Sequence, residues 1–84
     1  MITWTEFRNY TLDKKISVLY ERGTFVMAIR YYNYKINLYL LGQNYVEVFV
    51  NHKYASIEKI SLLDINHTRM KFYSDQIKLP QEIA

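Results

Sequence analysis

The sequence predicts an α+β domain: an N-terminal helical segment of two short helices, a four-stranded antiparallel β-meander, and a short C-terminal helix. Three observations carry this reading. From Phe25 to Leu63, β-branched and aromatic residues alternate at period two and are interrupted at three places by turn chemistry. Upstream, apolar residues keep helical spacing between capping threonines and Gly23; downstream, Met70, Tyr73 and Ile77 return to that spacing until Pro80. With 84 residues the chain reads as a single domain over 1–84.

At the start, Thr3 followed by Glu6 fits a capping box, so a short helix is expected from Trp4, with Trp4 and Phe7 on one face. Asn9 and Thr11 then break the pattern, and Thr11 suits the cap of a second helix. In Leu12 to Arg22, the residues Leu12, Ile16, Leu19 and Tyr20 share a face. Gly23 is expected to end this helix by adopting the left-handed conformation. A rival reading makes Ile16 to Tyr20 a strand joined to Phe25 through a Glu21-Arg22-Gly23 hairpin.

In the first hairpin, a two-residue turn at Tyr32-Asn33 would oppose Ile29 to Ile36 and Met27 to Leu38. A turn at Gly42-Gln43-Asn44 would then set Val46, Val48 and Val50 against Leu40, Leu38 and Ile36 on the same face. The Asn51 to Ser56 loop leads to a fourth strand carrying Ile60 and Leu62. The expected core is Phe7, Leu12, Ile16, Leu19, Phe25, Met27, Ile29, Ile36, Leu38, Leu40, Val46, Val48, Val50, Ile60 and Leu62.

Lys and Arg number 11 against 8 Asp and Glu, a net charge of +3, which permits an anionic partner without requiring one. The absence of cysteine removes disulfides, Cys-ligated zinc and thiol catalysis, and suits a cytoplasmic protein. Neither a signal peptide nor a membrane-length apolar run is visible, so no membrane contact is expected.

A helical start ending in Glu-x-Gly-x-Phe (Glu21, Gly23, Phe25), followed by Leu38-Tyr39, Tyr45-Val46-Glu47-Val48 and Ile57, Ile60, resembles small uncharacterised bacterial proteins built on such a start and a four-strand meander. The resemblance implies a layout. It implies no activity and brings no functional residue with it.

No catalytic motif stands out. His52 and His67 lack the spaced partners of a metal site, no serine or threonine sits in a nucleophile motif, and Gly23 and Gly42 make no phosphate loop. No catalytic residue, metal ligand or cofactor is therefore expected. The informative feature is the second face of the sheet. In the register above, Val26, Tyr39, Glu47 and Leu63 form one row, and Phe49 joins Ala28, Asn37 and Ser61 in the next. The candidate interaction face is thus Val26, Tyr39, Glu47, Phe49 and Leu63, used for a homodimer or an unknown protein partner. A third row brings Arg30, Lys35 and Lys59 together with Lys53 on the adjacent loop. This basic, tyrosine-flanked group is the runner-up: a weak anion or single-stranded nucleic-acid site. Edge cations also keep sheets soluble, and no RNP-like sequence accompanies them, which sets nucleic acid second.

Overall fold

The computed structural model describes residues 3–63 and 70–73. Helix α1 (Trp4–Arg8) starts at Thr3, whose hydroxyl accepts the Glu6 N-H while the Glu6 carboxylate accepts the Thr3 N-H at 3.0 Å, completing the expected capping box. Helix α2 (Leu12–Arg22) starts in the same manner, the Thr11 hydroxyl accepting the Lys14 N-H at 3.2 Å. Helix, not strand, occupies Ile16 to Tyr20. Gly23 closes α2 for a reason other than handedness: its backbone is extended (φ -83, ψ 155), but a Cβ there would lie 2.7 Å from the Leu19 carbonyl oxygen. Room selects the glycine.

Strands β1 (Thr24–Tyr31), β2 (Tyr34–Leu41), β3 (Asn44–Asn51) and β4 (Ile57–Leu62) form one antiparallel sheet in that order. The first hairpin has the expected register, with Ile29 opposite Ile36 and Met27 opposite Leu38. The second differs by one residue. Leu41 pairs with Asn44, so the turn is Gly42-Gln43 alone, its first residue at φ +62. Val46 and Val48 consequently face Tyr39 and Asn37, and a slip of one residue sends every β3 side chain to the other side of the sheet relative to β2.

The sheet is therefore covered on both sides instead of one. On one side α1 and α2 set Phe7, Val18 and Leu19 against Leu41, Val46, Val48 and Ile60. On the other, Leu38 and Leu63 bury the ring of Tyr73 from α3 (Met70–Tyr73). The expected core changes accordingly. Glu47, Phe49 and Leu63, assigned to the outer face, are buried, as are the unforeseen Val18, Leu41 and Tyr73. Leu12, Phe25 and Leu62 are exposed, and Ile16, Met27, Ile29, Leu40 and Val50 are half-buried.

Two bulges explain part of this. Val26 is the extra residue between the Phe25–Tyr39 and Met27–Leu38 pairs, which turns Phe25 and Met27 to opposite faces. Glu58 is the extra residue between the Val50–Ile57 and Phe49–Lys59 pairs. Both lie on edge strands, where a bulge spoils the ladder that a further strand would need. Ile77 and Pro80, which bound the expected C-terminal helix, lie outside the described residues. Among the described residues no helix is long and apolar enough to cross a membrane.

Candidate functional site

In a meander, alternate turns lie at the same end of the sheet, so the Tyr32-Asn33 turn and the loop from His52 to Ser56 are neighbours. The His52 N-H donates to the Asn33 carbonyl at 2.8 Å and ties them together. Asn51 organises the loop: its side-chain oxygen accepts the N-H groups of Lys53 at 2.9 Å and Tyr54 at 3.1 Å, forming an Asx turn. The Asn51 amide donates in turn to Glu58 at 2.7 Å, and the Tyr34 hydroxyl donates to the same carboxylate at 3.2 Å. That hydrogen bond, with the adjacent negative charge of Glu58 and slight desolvation behind it, raises the Tyr34 pKa above the ordinary phenol value.

Arg30 and Lys35 stand directly opposite each other on β1 and β2. With His52 they line a depression of about 260 Å³. Next to it, a concavity of about 390 Å³ is walled by Arg30, Tyr32, Asn33, His52, Lys53 and Tyr54. Three of the four cations that the sequence groups are thus at one end of the sheet. Lys59 is not with them, because it pairs with Phe49 on the opposite face, its Nζ 4.7 Å from that ring's centroid.

The candidate interaction face, in contrast, is dispersed. Tyr39 points to the α2 side, where burial and then the neighbouring Tyr20 phenol raise its pKa. Glu47, Phe49 and Leu63 lie on the opposite side, and Val26 packs half-buried beside them. Glu47 is 0% exposed and accepts a hydrogen bond from the Tyr73 hydroxyl at 3.0 Å. Glu47, Phe49 and Leu63 serve the interior. The reason is the one-residue register difference, which exchanged the face assignments of β3.

The exposed apolar surface is elsewhere. Between α2 and the sheet runs a groove of about 230 Å³ whose walls include Ile16, Tyr20, Tyr39, Val50, Ala55 and Ile57. Phe25 lies edge-on against Tyr39 on this side, at 5.7 Å between ring centroids, and is 54% exposed.

The residues that sequence reasoning left out of the basic site are Tyr32, Asn33, His52 and Tyr54. The signal was present in the topology, since the first and third turns of any meander must share an end. Among the described residues no group of three or more His, Asp or Glu could hold a metal ion. No family model matches the chain, and no curated protein or solved structure is significantly similar to it.

Proposed function

We propose that the protein is a non-enzymatic binding module that holds an anionic ligand at the turn end of its sheet. One observation carries this reading: Arg30, Lys35, Lys53 and the imidazole of His52 converge there without an ion pair to any described carboxylate. Like charges directly opposite on adjacent strands are destabilising, so the Arg30–Lys35 pair is an expense for the fold alone. Glu58, the acid nearest to Lys53 in sequence, is engaged by Tyr34 and Asn51. A bound anion would relieve the repulsion and release counterions. The cysteine-free composition makes the cytoplasm the natural compartment.

The test is a titration with single-stranded oligonucleotides and inorganic polyphosphate at low and moderate salt. Affinity should fall steeply with salt, and Arg30→Ala or Lys53→Ala should each reduce the logarithmic salt slope by about 1. Lys59→Ala, on the other face, should leave the slope unchanged. Absence of binding at low salt, where screening is weakest, would reduce the basic cluster to a solubility feature.

A second reading, self-association, is favoured by the open groove beside α2 and the exposure of Tyr20 (72%) along it. A second copy covering this groove would extend a small core. Sedimentation across concentration tests it, with Tyr20→Glu expected to abolish any dimer; a monomer at every concentration removes the reading.

A further inference from the structure

We infer that the ligand of the turn end is a single-stranded nucleic acid, its bases stacking on Tyr32 and Tyr54 while Arg30 and Lys53 meet its phosphates. The inference rests on the anion reading above and narrows it.

Simple anion binding needs cations only, yet this end presents two aromatic rings to solvent. Tyr32 is 83% exposed and Tyr54 68% exposed, and both wall the 390 Å³ concavity shared with Arg30 and Lys53. An exposed ring gains nothing from burial but offers a π-face, which any unpaired base can cover. The Lys53 Nζ lies over one face of the Tyr54 ring, 5.3 Å from its centroid, so a base stacking on the other face would have a cation across the ring within reach of its own phosphate.

One ring and the backbone of the other are also held in place. Tyr31 packs edge-on against Tyr32 at 4.6 Å between centroids, and Asn51 fixes the backbone at Tyr54. The turn itself does not ask for Tyr32: its φ of +55 lies in the left-handed region, which glycine and asparagine enter readily and tyrosine avoids. Asparagine is the very next residue. A strained residue at an exposed position in the wall of a concavity points to a role for its side chain. Asn33 and His52 add an amide and an imidazole at the rim, donors and acceptors that can meet a base edge. Duplex bases cover one another's faces, and free phosphate has none, so neither would use the tyrosines.

The experiment is fluorescence anisotropy with a labelled oligothymidylate of about 12 nucleotides, within the range of known single-strand site sizes. Competitors are an abasic phosphodiester of equal length, inorganic polyphosphate, and a duplex. Oligothymidylate should compete at least about tenfold better than the abasic chain. Tyr54→Ala and Tyr32→Ala should each weaken binding by about 5- to 150-fold, the range measured for loss of one stacked base. The salt slope should not move, and Tyr54→Phe should bind as the parent does. Urea midpoints for each variant separate lost contacts from lost folding. If the abasic chain binds equally and both alanine variants stay within twofold, stacking is overturned while the anion reading stands. If no polyanion binds at low salt, the anion reading falls and takes this inference with it.

Discussion

The two ends of the sheet solve the same backbone problem with different residues. At one end β2 and β3 are joined by Gly42-Gln43, and the left-handed position is taken by a glycine, at φ +62, around which a Cβ would meet nothing within 4 Å. At the other end the left-handed positions fall to Tyr32 at φ +55 and Ala55 at φ +56. Glycine enters that region at no steric cost, whereas a residue with a Cβ loses about 1 to 2 kcal/mol there. The Gly42 end is thus built for the fold. The Tyr32 end carries strain, a like-charge pair and two exposed rings, features that a sequence shaped for stability alone would shed.

The largest change should be felt irrespective of the end. Leu38 lies in the middle of β2, fully buried against Leu63 and Tyr73, and Leu38→Ala should cost about 2 to 5 kcal/mol in urea unfolding. A loss below half of that range would mean that the Tyr73 side of the sheet closes over the cavity. Next in size is Gly42→Ala. Since space is open and only φ is wrong, it should lose about 1 to 2 kcal/mol and leave polyanion affinity untouched.

The strained end should respond with the opposite sign. Tyr32→Asn places a residue that tolerates φ +55 and should gain about 1 kcal/mol, at the expense of ligand affinity. Ala55→Gly should gain a little less, because glycine also adds freedom to the unfolded chain, and it should not alter binding. If Tyr32→Asn is destabilising, the strain is absent and the contrast between the ends collapses. If it stabilises without weakening binding, strain is real but the ring has no ligand.

How much of this could be read in the sequence depends on the length scale. Thr3, Glu6 and Thr11 cap their helices through contacts three residues apart, so local chemistry sufficed. The first hairpin was legible because one register alone aligned Ile29 with Ile36 and Met27 with Leu38. The second hairpin has apolar residues at both parities of β2, including Leu38 and Tyr39, and at both parities of β3, including Val48 and Phe49. Either register buries something, so alternation could not choose, and a one-residue turn difference decided every face. For the same reason Glu47 and Phe49 of the candidate interaction face were lost to the interior, while Arg30 and Lys35, fixed by the first hairpin, stayed together. Tyr73 and Glu47 pair across 26 positions, a distance over which periodicity is silent.

The smallest effect concerns the tether that shapes the basic loop. The Tyr34 hydroxyl donates to Glu58, which also accepts from Asn51, so the loop carrying Lys53 and Tyr54 is fastened to β2 through a protonated phenol. Because the folded pKa of Tyr34 is raised, chiefly by that hydrogen bond, the native state holds this proton more tightly than the unfolded chain. The sign follows. The contribution is complete below the unfolded phenol value of about 10 and is lost as pH rises through the folded value. Urea midpoints measured from neutral to strongly alkaline pH should therefore fall more steeply above about 10 for the parent than for Tyr34→Phe. Tyr39, whose pKa burial also raises, remains in both proteins and supplies the shared part of the decline. Parallel curves for the parent and Tyr34→Phe would show that Glu58 does not hold the phenol in solution, and that the loop is positioned by Asn51 and the His52–Asn33 hydrogen bond.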